Sequence, residues 1–244
     1  MPGFTTPLEL AVLRLAASLL PPDEAYLEVG TFKGRSTCAA ALDASGGSFY
    51  AVEAFTEFGM VAGSARAELR GALDRWAPGG RVHLLDGDCF DLLARRHALD
   101  LPVGVYFYDG AHTGLAHYLA LGVAEPLLAD EALVLVDDAT WPMVADATAR
   151  YLARHPGWDV LHDFRADRDD DPRWANGLLV LRFRRPAGAT LGMAPDVRWR
   201  RHLQVRLRGP ATSLVWHSLH RFPGLVPFAK RLAPSRSRRV RPAD

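Results

Sequence analysis

Five short apolar runs, each with a carboxylate at or near its end, restrict what this chain can fold into. They are "AYLEV", "SFYAVEA", "RVHLLDGD", "VGVYFYDGA" and "EALVLVDDA". The segments between them, such as "RSTCAAALDAS" and "AGSARAELRGALDRWA", have helix-forming composition, and glycines or prolines punctuate the joins. Strands alternating with helices imply βαβ units, a mostly parallel sheet and helices on both faces. After the helical "PMVADATARYLARHP", the runs "WDVLHDF" and "GLLVLRFRR" are expected to close the sheet as an antiparallel hairpin. Ahead of the first strand, Thr5 or Thr6 is placed to cap a helix running to about Leu20, where Pro21 and Pro22 stop it. The predicted class is α/β, a doubly wound sheet filling residues 1–185.

Charge separates this body from the rest. Residues 182–244 carry 15 Lys and Arg against 2 Asp and Glu, whereas the first 181 carry 14 against 26. Residues 186–244 therefore read as a basic, partly amphipathic extension. In "SLVWHSLHRF" and "LVPFAKRLA", Val215, Leu219, Phe222 and Val226 recur at helical intervals among His220, Arg221, Lys230 and Arg231. Such a segment suits an anionic membrane surface, an acidic carrier protein, the acidic body itself or a partner in a homo-oligomer. The last residues, "RLAPSRSRRVRPAD", are expected to be disordered. No RNP-type aromatic motif accompanies the charge, so no specific nucleic acid is expected.

Two cysteines, Cys38 and Cys89, give neither a disulfide framework nor a metal knuckle, which fits a reducing, cytoplasmic setting. The N-terminal "MPGFTTPLELAVLRLAASLLPP" has no basic residue before its apolar stretch, and Glu9 and Arg14 interrupt it. It reads as an amphipathic helix rather than a signal peptide. No run reaches the roughly 18 apolar residues of a membrane span.

In parallel sheets of this kind, ligands sit beyond the carboxyl ends of the strands. "YLEVGTFKGRST" leads from the first strand through Gly30 and Gly34 into a helix. Gly30 can take positive φ and Gly34 permits close helix packing. The spacing is not the G-x-G-x-x-G of dinucleotide sites. A pyrophosphate would also be repelled by Glu28, Asp88 and Asp109, whereas a ligand bearing an ammonium and a sulfonium would be attracted. S-adenosylmethionine is such a ligand. Ser36 and the helix-opening amides could take its carboxylate, and Glu28 or the Gly30 carbonyl its ammonium. Glu53, 23 positions after Gly30, stands near the spacing for ribose hydroxyls. Asp88 and Cys89 fall where adenine would lie.

The fourth and fifth strands end in Asp109 and in Asp137-Asp138. Adjacent strands are about 5 Å apart, so these three carboxylates could converge on one hard cation, and oxygen-only ligation suits Mg²⁺. The competing reading is simple capping or solvation. His112, three residues past Asp109, is a candidate general base. His117 has the wrong phase for a zinc pair with His112 and reads as a helix-surface histidine. No nucleophile elbow and no phosphate-binding loop of the G-x-x-x-x-G-K-[ST] type occurs.

Together "YLEVGTFKGRST", "FYAVEAFTEFG", "LLDGDCFDLL", "VYFYDGAHTG" and "LLADEALVLVDDATW" resemble, in order and spacing, the successive motifs of class I S-adenosylmethionine-dependent methyltransferases. The likeness is greatest to the macrocin O-methyltransferase type, which acts on sugars and natural products, and it covers about residues 6 to 185. It implies a Rossmann-like fold, with Gly30, Gly34 and Ser36 on the methionine part of the cofactor. It also implies Glu53 on the ribose, Asp88 and Cys89 beside adenine, and Mg²⁺ on Asp109, Asp137 and Asp138. Asp109 is then also a candidate base, and a hydroxylated small molecule the acceptor. Trp141 and Trp174 could cover it, or simply pack. The pattern departs from the family at "ADEA", where Pro-Gly-Gly is common, and the tail has no counterpart. Metal-independent N- or O-methyl transfer, an NAD-binding oxidoreductase and a non-catalytic cofactor-binding protein remain as alternatives.

Overall fold

The computed structural model describes residues 3–205, except 43, 45–46, 56–61, 78, 96–97 and 190–191. Strands β1 (Ala25–Val29), β2 (Ser48–Glu53), β3 (Val82–Asp86), β4 (Val103–Tyr108) and β5 (Leu128–Val136) are joined by β6 (Trp158–Phe164) and β7 (Leu178–Arg184). The sheet runs β3-β2-β1-β4-β5-β7-β6. β1 to β5 are mutually parallel, and β7 is antiparallel to both β5 and β6. The last strand thus inserts inside the sheet and leaves β6 at the edge. Burial explains the choice: "LLVLRFR" is mostly buried, while "WDVLHDF" has no fully buried position and tolerates a solvated edge.

Helices α1 (Pro7–Ser18), α2 (Arg35–Leu42) and α3 (Ala62–Trp76) precede α4 (Cys89–Leu92), α5 (Gly114–Ala124), α6 (Pro142–Leu152) and α7 (Pro195–Leu203). Alternation along the strands sorts the core into two layers. Leu27, Val29, Tyr106 and Tyr108 face the side of α5 and α6, whereas Tyr26, Val105 and Phe107 face Leu13, Ala16 and Ala17 of α1. α1 begins at Thr6, whose hydroxyl accepts from the Glu9 N–H while Glu9 accepts from the Thr6 N–H, a reciprocal capping box. The helix stops at Ser18 with Leu19 as its cap, short of the prolines.

α7 lies within the segment expected to be an extension, yet it packs on the body. Val197 is fully buried against Gly122 of α5, where any Cβ would stand 2.6 Å from the valine methyls. Tyr118 of α5 donates to Asp196 at 2.6 Å, and Arg201 reaches Asp91 at 3.0 Å. The amphipathic and terminal basic segments of the tail fall outside the described residues. Among the described residues, no helix is long and apolar enough to cross a membrane.

Candidate active site

The carboxyl ends of β1 and β4 meet almost without clearance. The Asp109 N–H donates to the Val29 carbonyl at 2.9 Å, and Gly30 sits beside it at φ +92°. A Cβ on Gly30 would stand 1.8 Å from the Asp109 carbonyl oxygen, so only glycine fits. Gly34, at φ +83°, brings α2 against Leu69 of α3. A cleft opens here, bordered by Gly30, Phe32, Ser36 and Asp109 and, on its outer side, by Phe4 and Thr5. The N-terminal residues form a strap across the loop. The rings of Phe4 and Phe32 stack at 5.9 Å, and Arg35 donates to the Gly3 carbonyl at 3.3 Å.

Glu28 corrects one expectation. Its carboxylate is wholly buried behind the loop and does not border the cleft. Three hydroxyls donate to it: Tyr26 at 2.8 Å, Ser36 at 2.6 Å and Thr37 at 2.7 Å. Burial pushes its pKa above the ordinary range, and these hydrogen bonds pull against that. Tyr26 and Glu28 alternate along β1 and so face the same layer as α2. Glu28 is therefore the tie between β1 and α2. Asp109 takes its place as the acid lining the cleft. Ser36 also lines it, but its hydroxyl points inward at Glu28.

Glu53 bridges two loops. One carboxylate oxygen accepts from the Phe32 N–H at 2.8 Å and the other from the Phe55 N–H at 2.9 Å. Both phenylalanines have positive φ, 46° and 54°, so this carboxylate holds strained backbone on either side. Asp88 caps α4, accepting from the Phe90 N–H at 2.7 Å, and Cys89 opens that helix, half-buried.

At β4 and β5 the acids do converge. Among the described residues, ligand atoms of Asp109, His112 and Asp138 lie within 4.8 Å of one another. Asp138 Oδ2 stands 2.7 Å from His112 Nδ1, and Asn176 donates to Asp138 Oδ1 at 2.8 Å. Asp137 is outside that group; it lies close to Asp109, and its own Oδ1 is buried without a partner. Burial first, and then Asp137 and Asp138, hold Asp109 well above the ordinary carboxylate range. Burial followed by Asp138 and Glu9 does the same to Asp137. Asp138 goes the other way: burial would raise it, but the hydrogen bonds from His112 and Asn176 keep it low. The cluster thus has one carboxylate held low and two held high. A hard cation fits these residues: the donors are mainly oxygen, the geometry is compact, and the orphaned Asp137 oxygen shows unmet demand.

His117 is a second correction. It is 2% exposed, with both ring nitrogens buried and unpartnered, and burial depresses its pKa to about 3. α5 is buried along nearly its whole circumference beneath α6 and α7, so it has no exposed face at that position. Trp141 stands edge-on to His112 at 5.3 Å, beside the cluster. Trp174 stacks on Phe164 at 4.2 Å and packs into the core layer under α1. Three contributors escaped the sequence reading: Asn176, the strap, and Glu9, which is 1% exposed and raises Asp137. Only the T-x-x-E pattern of Thr6 and Glu9 offered a signal, and it spoke of capping.

Comparison with known proteins agrees with this geometry. Residues 27–139 match the methyltransferase domain family. The matched residues run from the middle of β1 to the turn after β5, and so include the glycine loop, Asp109, His112 and Asp138. An O-methyltransferase from Bacillus cereus in complex with SAH superposes with a TM-score of 0.59 at 16% identity, over 75% of this chain and 84% of that one. The O-methyltransferase TomG from Streptomyces achromogenes, involved in tomaymycin synthesis and in complex with SAM, gives 0.56 at 17%, over 73% and 80%. At such identities the likeness speaks for the fold alone, a Rossmann-like, mostly parallel sheet flanked by helices. No curated protein sequence matches the chain.

Proposed function

We propose that this methyltransferase domain moves the methyl group of S-adenosylmethionine to a hydroxyl oxygen of a small molecule, a sugar or natural product, with Mg²⁺ assistance. One observation carries the reading: the cleft over Gly30 and the Asp109–His112–Asp138 cluster share Asp109, so a cofactor site and a base or metal site adjoin.

The cofactor supplies an electrophilic methyl on a sulfonium, and the residues here would hold and orient it. Asp109 lines the cleft and would attract the ammonium end, in place of Glu28 and alongside the Gly30 carbonyl. The amides opening α2 and the Gly30 turn allow close backbone approach to the methionine part. Asp109, Asp137 and Asp138 would hold Mg²⁺, which would lower the pKa of an acceptor hydroxyl and fix its position. His112 would accept the hydroxyl proton at Nε2, because Nδ1 is directed at Asp138. Aligned approach of oxygen to methyl can supply about 7–11 kcal/mol of the barrier reduction in such displacements.

A metal-independent transfer is the second reading, favoured by the 2.7 Å His112–Asp138 pair, which forms a base and its orienting acid without an ion. Turnover of Asp109→Ala and Asp138→Ala with and without EDTA separates the two. Loss in both variants and in EDTA supports Mg²⁺, and full turnover throughout overturns it.

A further inference from the structure

We infer that Asn176, in the loop between β6 and β7, is a positioning residue that holds Asp138 toward His112. The inference rests on the reading of His112 as the base.

Asp138 has φ +55°, a left-handed conformation uncommon for a residue with a side chain. Something outside the turn must hold it. The loop does so with main chain and side chain together. The Ala139 N–H donates to the Gly177 carbonyl at 2.9 Å, and the Thr140 N–H to the Asn176 carbonyl at 2.8 Å. The Thr140 hydroxyl accepts from the Ala166 N–H at 3.1 Å, and a Cβ on Gly177 would stand 2.2 Å from that hydroxyl. The loop can approach so closely only because position 177 is glycine, at φ +95°.

The Asn176 amide has its orientation fixed by its two partners. Its Oδ1 accepts from the Asp170 N–H at 3.2 Å, and its Nδ2 donates to Asp138 Oδ1 at 2.8 Å. A backbone N–H only donates and a carboxylate only accepts, so the flipped amide would face two mismatches. With Oδ1 taken by Asn176, Asp138 presents Oδ2 to His112 Nδ1 at 2.7 Å. A carboxylate on Nδ1 fixes the imidazole with its proton there and leaves Nε2 as the acceptor. Asn176 therefore acts two contacts from the reacting atoms.

The same loop reaches the cofactor side. The Thr6 hydroxyl donates to the Arg173 carbonyl at 2.7 Å, so the loop that sets Asp138 also anchors the root of the strap over the cleft.

The test uses the full chain labelled with ¹⁵N and reads the His112 ring nitrogens by long-range ¹H–¹⁵N NMR. The wild type should show the Nδ1–H form. Asn176→Asp is isosteric and still accepts from Asp170, but it cannot donate to Asp138. It and Asn176→Ala should both shift His112 toward the Nε2–H form that free imidazole side chains favour. An unchanged Nδ1–H spectrum in both variants overturns the inference. In parallel, Mn²⁺ alone is titrated into wild type and Asn176→Ala and followed by EPR. Loss of an outer contact of this kind should weaken binding by about 10- to 100-fold. A wild type that takes up no Mn²⁺ defeats the metal part of the proposed function, while the ring spectra still decide for or against Asn176.

Discussion

Asp138 Oδ2 and His112 Nδ1 are 2.7 Å apart, joining the end of β5 to the turn after β4. Asp109 belongs both to this cluster and to the lining of the cleft over Gly30, so the cluster and the cleft share one carboxylate. This adjacency divides the expected effects of substitution between binding and rate.

His112→Ala should lower kcat by about 10²- to 10⁴-fold, the usual contribution of a positioned base. Binding of S-adenosylhomocysteine should be unchanged, because His112 does not border the cleft. Steady-state kinetics beside calorimetry would check this, and lost cofactor affinity with intact kcat would count against the assignment.

Gly30→Ala should do the reverse. Its Cβ would stand 1.8 Å from the Asp109 carbonyl oxygen at a φ of +92°, so β1 and β4 must part at the cleft. Cofactor binding should fall below detection, and stability should drop by about 1–3 kcal/mol from the strained φ before any clash. Calorimetry and denaturant melts measure the two effects separately.

Glu28→Ala should act on stability. It strands the hydroxyls of Tyr26 and Ser36 in the core, each worth roughly 1–3 kcal/mol when left unmade, and leaves Thr37 with Thr31 as its partner. Glu28→Gln, which keeps an acceptor oxygen, should recover part of the loss. Near-wild-type denaturation of Glu28→Ala would mean that this buried tie contributes little.

Asp137 makes a pH-dependent prediction for metal-free protein. Its pKa is raised by burial, so the folded state retains a proton that the unfolded chain has released. That contribution is present in full below the ordinary carboxylate pKa and is lost as pH rises through the raised value. Asp137→Asn should therefore gain stability relative to wild type as pH rises, by about 1.4 kcal/mol per pH unit in that window. Mg²⁺ should reverse the order by stabilising only the wild type. Parallel melts at several pH values, with and without Mg²⁺, would read this.

The sheet was legible because it depends on local pattern: short apolar runs, helix-forming intervals and acids at each strand end. That Gly30, Asp109 and Asp138 would stand at one edge of the sheet was legible because they follow the carboxyl ends of neighbouring parallel strands. Partners set by distant packing were not. Glu28 looked available until Ser36 and Thr37 of α2 folded over it. His117 looked exposed because its helix was read alone, without α6 and α7 covering it. Asn176 comes from a loop 38 positions past Asp138, and nothing in "RWANGLL" marks its target. α7 was hidden by its charge, since Val197, the residue that docks it, sits beside Arg198, Arg200 and Arg201.

Calorimetric titration of S-adenosylmethionine into the full chain, with and without Mg²⁺, tests the central claim most directly. The account predicts one binding site per chain that Gly30→Ala abolishes and His112→Ala retains. No binding by the wild type under either condition would contradict it.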